Sequence, residues 1–175
     1  MMKFRLFAHL VCASIILNSV PVFAEQTKNI VPYEDTYTFD LAPDNCFALE
    51  SEIIVGKTEE EFYAGYVTFA LPADVDNDER ILLELNTKKG ESDSVGLLGC
   101  GQQDLISADI TYSSAPSIGT TITTCKVSPN EKTIVDVTDY VFQNLSDRRN
   151  ISFCLMCNES ILEFSSSETS TTIPI

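Results

Sequence analysis

The chain has no tryptophan, and its single histidine, His9, falls within the first 24 residues. Tryptophan offers the largest ring for stacking, so any aromatic binding platform here must be built from tyrosine and phenylalanine. With the N-terminal segment removed, no histidine is left to act as a general base, to activate a serine or to complete a zinc site. Basic side chains are also scarce, with 11 Lys and Arg against 26 Asp and Glu for a net charge of −15. Phosphate recognition requires clustered Lys and Arg, so nucleic acid is excluded as a partner. The same balance disfavours anionic membrane surfaces and strongly anionic polysaccharides. No glycine-rich phosphate loop is present. After the N-terminus, no apolar run approaches the roughly 20 residues needed to span a bilayer.

What the N-terminus does have is the layout of a secretory signal. Lys3 and Arg5 supply a basic start, residues 6–17 are mostly apolar, and Val22-Phe23-Ala24 places small residues at −3 and −1 before Glu25. Residues 1–24 are therefore expected to be a signal peptide, which makes the mature protein secreted, extracellular or at the cell surface, with no membrane contact after cleavage. Its 151 residues suit one domain with a full-sized core, and nine basic against 26 acidic side chains give it a charge of −17. An acidic coat of this kind keeps an exported domain dispersed. Residues 25–34 are expected to be a flexible N-terminal segment, followed by one domain over 35–175.

Strand signals dominate that domain. Alternating or β-branched runs occur at 33–39, 46–55, 62–71, 80–85, 94–98, 107–112, 120–127, 133–137, 151–156 and 161–164. Turn-forming clusters separate them, such as Pro43-Asp44-Asn45 and Lys88-Lys89-Gly90-Glu91. Many short strands with turns every eight to twelve residues predict an all-β, antiparallel β-sandwich of jelly-roll type. One short helix is expected at 139–145, capped by Thr138, with Val141, Phe142 and Leu145 at helical spacing.

Five cysteines follow the leader: Cys46, Cys100, Cys125, Cys154 and Cys157. Disulfides are expected in an exported protein, and an odd number leaves one thiol free or available for a covalent dimer. Cys154 and Cys157 have redox or zinc spacing, but the surrounding run reads as a strand, where positions i and i+3 face opposite sides. One should face inward and the other outward. Cys100 and Cys125 bracket an excursion, and a bond between them would stabilise by roughly 3 kcal/mol through loop closure. Cys46 would then pair with Cys154 or Cys157. Three sequons, at Asn144, Asn150 and Asn158, are candidate glycosylation sites if the source is eukaryotic.

The order of short motifs resembles the secreted β-sandwich domains called DNRLRE domains, grouped with family 96 of carbohydrate-binding modules. Asp35-Thr36-Tyr37 is similar to the opening strand. Ile54-Val55-Gly56 leads across 57–61 into Tyr66-Val67-Thr68-Phe69-Ala70-Leu71-Pro72, with Ala70 where the family has an acidic residue. Ile81-Leu82-Leu83-Glu84-Leu85, Ile110-Thr111-Tyr112 with Pro116, Val135-Asp136-Val137-Thr138 and Phe164-Ser165-Ser166-Ser167-Glu168 follow in order. Asp104-Leu105-Ile106 stands where the family carries tryptophan. The resemblance spans about 35–175 and implies a non-catalytic module that binds an extracellular polysaccharide or glycan, neutral or weakly charged.

The residues admit a rival reading. The missing tryptophan and the high negative charge also suit a structural or adhesive surface domain that contacts protein. Enzyme activity is not expected, because the paired carboxylates at 59–61 and 74–79 sit in polar turns rather than facing a cleft on rigid elements. Asp74, Asp76 and Asp78 alternate as hard-cation ligands do, which makes calcium a possible cofactor, although the glycine at position six and the glutamate at position twelve of a calcium loop are absent. Tyr63, beside an acidic turn, and Tyr112, before the 113–119 loop, are the expected ligand-binding rings. Tyr66 and Tyr140 fall in motifs that read as core or corner positions.

Overall fold

In a computed structural model, residues 30–75 and 80–166 of the chain are described. The expected signal peptide, Asp76 and Asp78 lie outside them. Nine strands follow in order: β1 (Glu34–Phe39), β2 (Glu52–Lys57), β3 (Phe62–Ala70), β4 (Leu82–Lys89), β5 (Ser92–Cys100), β6 (Ile118–Val127), β7 (Lys132–Asp136), β8 (Asn150–Cys157) and β9 (Ile161–Ser165). Among the described residues one α-helix, α1 (Thr138–Asn144), lies between β7 and β8. Every strand pairing is antiparallel. No helix among the described residues is long and apolar enough to cross a membrane.

The strands form two layers. One runs β1-β3-β8-β5-β6 and the other β2-β9-β4-β7, joined where the β2–β3 hairpin passes between them through Gly56↔Tyr63 and Lys57↔Phe62. The all-β expectation therefore holds. A Cβ on Gly65 of β3 would stand 2.8 Å from the side chains of both Ile53 and Val55 of β2, so only glycine allows the layers to approach this closely there. On the far side Thr133 of β7 donates to the Lys126 carbonyl of β6 at 3.1 Å, nearly closing the sandwich.

Alternation decides which face each side chain takes. On β8, Ile151, Phe153, Leu155 and Cys157 point between the layers, where they join Val95, Leu97, Val55, Leu162 and Phe164 in the main core. The intervening Ser152 and Cys154 point the other way and are also buried. A second, smaller core on that outer face explains this: Ala64, Tyr66, Cys100, Cys154, Leu105 and Ile110. Its lid is the β5–β6 connection, residues 101–117, folded back over the layer.

The segment at 107–112, expected as a strand, is instead a 3-10 turn at Ser107–Asp109 followed by irregular chain. Its apolar Ile110 is buried by the lid's docking rather than by ladder pairing. Tertiary anchors fix it there. Ser107 donates its backbone N–H to Glu34 at 3.0 Å, and Ser113 its backbone N–H to the Pro43 carbonyl at 2.9 Å. β2 begins only at Glu52, because 46–51 turn around Phe47.

The helix start also differs in detail. Thr138 does not cap α1; its hydroxyl accepts from the Ile81 N–H at 2.9 Å and donates to Asp136 at 2.7 Å. The carboxylate of Asp136 instead accepts the Thr138 N–H at 3.1 Å, satisfying one of the orphan donors at the helix start.

Candidate functional site

The end of the sandwich where β1 finishes and β3 begins carries the densest aromatic grouping. Tyr37 and Phe39 lie opposite Gly65 and Tyr63 in the β1–β3 register. Phe39 stacks on Tyr63 with centroids 4.4 Å apart and planes 5° apart, while Tyr37 stacks on Phe47 at 4.5 Å. Tyr37 also meets Tyr63, tilted, at 6.1 Å, so the four rings form one connected patch. Tyr37 is buried at its base; Phe39, Phe47 and Tyr63 keep part of their surface in solvent.

Carboxylates rim these rings. Asp40 accepts the Phe62 N–H at 2.9 Å, which fixes it beside the start of β3. Thr58 receives the backbone N–H groups of Glu60 and Glu61 at 3.2 and 3.1 Å, ordering the turn that presents Glu61 to the Tyr63 hydroxyl. Partial burial and then the Glu61 charge raise the Tyr63 phenol above its ordinary value. Burial, followed by Glu50, Tyr63 and Glu52, pushes Tyr37 up to about 12. Both hydroxyls thus stay protonated as donors at neutral pH, next to acceptors. Partly exposed rings edged by hydrogen-bonding groups suit a sugar, whose C–H faces stack and whose hydroxyls bond at the rim. A rim this acidic would repel an anionic ligand.

Tyr112 stands apart from this patch. It is 42% exposed in the lid and meets Phe62 edge-on at 6.4 Å. Phe62 packs on the second core, whereas Tyr63 packs on the main one, so Tyr63 and Tyr112 lie on opposite faces of the layer. A single flat platform cannot use both. Near Tyr112 the lid holds an open cavity of about 140 Å³ lined by Gln102, Leu105, Asp109, Ile110 and Ser114 among others. That is well under the roughly 300 Å³ at which ligand pockets begin.

Tyr66 is core, as expected, and burial raises its phenol far above the ordinary value. Tyr140 occupies a place that its sequence motif did not reveal. The β5–β8 ladder ends at Gly99↔Phe153, and the next pair would be Cys100 with Ser152. Two side chains fill that rung instead. The Tyr140 hydroxyl accepts from the Cys100 N–H at 3.1 Å and donates to the Ser152 carbonyl at 3.1 Å. Gln103 accepts the Ser152 N–H at 2.8 Å and donates to the Cys100 carbonyl at 2.8 Å. All four backbone groups are satisfied while the strands stand apart.

The cysteine expectations need correction. Cys125 lies opposite Val95, and Cys100 opposite Ile118. Five residues of β5 separate those positions, roughly 17 Å at strand rise, far beyond disulfide reach. Cys100 and Cys125 therefore do not pair in this fold. Cys154 and Cys157 do face opposite sides, yet neither faces solvent, because the lid covers the outer face. Cys46 is exposed, with its thiol 3.5 Å from the Ser107 carbonyl. That contact holds it at the lid, away from Cys157 in the main core.

Among the described residues no group of three or more His, Cys, Asp or Glu side chains is placed to hold a metal. Of the expected calcium ligands only Asp74 is described, in the turn after β3. Asn144 and Asn158 are exposed; the Asn144 side-chain nitrogen donates to the Tyr140 carbonyl at 2.9 Å and that of the half-buried Asn150 to Asp104 at 2.8 Å.

Residues 26–175 match the family described as carbohydrate-binding module family 96. The chain belongs to that family. A search of curated proteins gives no match to it. The family assignment and the aromatic patch point the same way, toward a carbohydrate-binding module. Phe39 and Phe47 join the patch without the polar tip that marks tyrosine as a candidate sugar platform. Phe39 is in phase with Tyr37 along β1, but only the β1–β3 register brings it onto Tyr63.

Proposed function

We propose that this chain is an exported, non-catalytic carbohydrate-binding module that takes a neutral or weakly charged glycan on the ring pair Phe39 and Tyr63. Family membership over residues 26–175 carries the reading. The site assignment is supported by the partial exposure of the stacked pair and by the carboxylates of Asp40 and Glu61 at its edge. The leader-like residues 1–24 support export. The carboxylates have hydrogen-bonded structural tasks or lie in solvated turns, consistent with binding rather than hydrolysis.

The test is a glycan array probed with and without calcium, using the parent chain, Tyr63→Ala and Tyr112→Ala, each checked for an unchanged strand spectrum. Loss of stacking should weaken binding at least tenfold in Tyr63→Ala, about 1.4 kcal/mol, and leave Tyr112→Ala near the parent. Tyr63→Phe should keep most of the affinity. If no neutral glycan binds in either condition, the function fails. If binding survives Tyr63→Ala, the function stands and this site fails.

A further inference from the structure

Cys100 and Cys154 are the two cysteines that share a face on adjacent strands. The register pairs Leu98 with Cys154 and Gly99 with Phe153, so Cys100 is the diagonal neighbour of Cys154. Both side chains enter the small core beneath the lid with Tyr66, Leu105 and Ile110, and both are buried. The other combinations fail on placement. Cys125 and Cys157 flank Val95 on opposite sides, two strand spacings apart, and Cys157 lies in the main core. A diagonal pair in a regular ladder stands at about the limit a disulfide can span. Here the ladder is already open at Cys100, where Tyr140 and Gln103 replace direct pairing, and the two side chains are close enough for the Cys154 thiol to hydrogen-bond to Cys100.

We propose that Cys100 and Cys154 form the intramolecular disulfide of this protein, a bond that ties β5 to β8 under the 101–117 lid. The chemistry suits Cys100 as the attacking sulfur. The Cys154 thiol donates toward it and lowers its pKa below the ordinary thiol range, with the amides of Gln102 and Gly101 adding to the effect. The same contact, together with burial, raises Cys154. A low-molecular-weight disulfide such as glutathione disulfide is the oxidant. The Cys100 thiolate attacks one of its sulfurs, forming a mixed disulfide and expelling one thiolate. Cys154 then gives up its proton and attacks the Cys100 sulfur, expelling the second. The two protein thiols lose two electrons and two protons, and one glutathione disulfide becomes two glutathione thiols. Only 5% of Cys100 and none of Cys154 is exposed, so closure takes place while the lid is open, during folding or local opening.

The experiment refolds the full chain with glutathione disulfide, then denatures and alkylates it without reductant. Trypsin leaves Cys100 and Cys125 in one peptide (90–126), and Cys154 and Cys157 in another (150 onward), so the linked species is fragmented to place its sulfurs. A parallel Cys125→Ser/Cys157→Ala variant leaves fewer alternatives. The expected result is one linkage, between Cys100 and Cys154, with both protected from alkylation and the variant lighter by two hydrogens. In Cys154→Ala, Cys100 should retain the glutathione adduct that wild type resolves. Alkylation of both Cys100 and Cys154 in the refolded chain would overturn the proposal, as would a bond from either to another cysteine. If Cys154→Ala fails to fold, the wild-type map alone decides.

Discussion

Tyr140→Phe removes one oxygen and breaks three hydrogen bonds. The hydroxyl accepts from the Cys100 N–H at 3.1 Å and from Gln103 at 3.3 Å, and donates to the Ser152 carbonyl at 3.1 Å. The ring itself stays packed against Phe153, at 5.3 Å, and against Gly99, where an added Cβ would lie 2.9 Å from it. The substitution is thus a pure polar deletion with little change in shape. Each net hydrogen bond is worth about 1 kcal/mol, and a buried group left without a partner costs about 1–3 kcal/mol. The Gln103 amide keeps its bond to the Cys100 carbonyl, so the loss falls mainly on two backbone groups. About 3 kcal/mol is expected, equivalent to a fall in Tm of roughly 6–12 °C for a domain of this size. Urea titration at neutral pH gives the free energy, and a thermal melt checks it. Tyr112→Phe, on an exposed ring, is the control and should stay within about 0.5 kcal/mol of the parent. A Tyr140→Phe midpoint indistinguishable from that control would mean that water replaces the hydroxyl without penalty, and the account of the open rung would be wrong.

Gly56→Ala should be more damaging still. Its φ is +143°, and the new Cβ would lie 2.1 Å from the Ser160 carbonyl oxygen, so backbone strain and a clash combine to cost about 3 kcal/mol or more, read from the urea midpoint. At acid pH, hydrogen bonds from the Thr138 hydroxyl, from Arg80 and from the Thr138 N–H lower Asp136 from 3.8 to about 2. The native state therefore binds fewer protons than the unfolded state between those values. The contribution is complete above about pH 4 and is lost as pH falls through about 2, so wild type should outlast Asp136→Asn at neutral pH and the two should converge in acid. At alkaline pH the sign reverses for Tyr37, raised from 10 to about 12. Its contribution is complete below about pH 10 and is lost as pH rises through 12, a loss that Tyr37→Phe should not show in urea midpoints taken across that range.

Much of the sandwich was legible because period-two alternation survives wherever one face of a strand is core and the other is solvent. Along β4 and β7, Leu83, Leu85 and Val135 turn inward while Glu84 and Lys132 turn out. Legibility fell where both faces are covered. On β8 the pattern blurs into the near-continuous run Ile151–Cys157, and nothing local reveals that the lid buries Ser152 and Cys154. The lid departs from its local pattern for the same reason. Ile110 and Tyr112 have strand-like residue types, but tertiary anchors at Glu34, Pro43 and Asp44 hold them out of any ladder. Cys100 and Cys125 bracket a loop in sequence, but strand register and not chain length sets their separation. Tyr63 was found by its acidic turn, whereas its stacking partner depends on a β1–β3 register that no local pattern encodes.

Where a glycan could dock follows from what the remaining surfaces already do. The inward faces of both layers are core. The outward face of the first layer is covered by the lid around Tyr66, Cys100 and Cys154, and β6, which is largely exposed, carries no aromatic side chain. The outward face of the second is laced with ion pairs: Lys88 with Glu52, Lys89 with Glu163 and Lys132 with Glu84, at 2.7–2.9 Å. Exposed pairs like these add little stability, but they leave no apolar ring for a sugar to stack on. Single exposed side chains such as Ile134 and Leu82 interrupt that face without forming an aromatic platform. The ends of the sandwich are left. At the end where β1 meets β3, four rings converge because β1 supplies Tyr37 and Phe39 from one side of its pleat, β3 supplies Tyr63 in register, and the turn after β1 supplies Phe47. On the proposed reading the acidic rim is part of the selectivity: Asp40, Glu50 and Glu61 would accept hydroxyl hydrogens from a neutral sugar and would repel a carboxylated or sulfated one. Adding salt should therefore leave binding of a neutral glycan nearly unchanged, whereas any residual binding of an anionic one should strengthen as the repulsion is screened. Titrating both ligand types at low and high ionic strength checks this, and a neutral glycan whose affinity collapses in salt would place its site elsewhere.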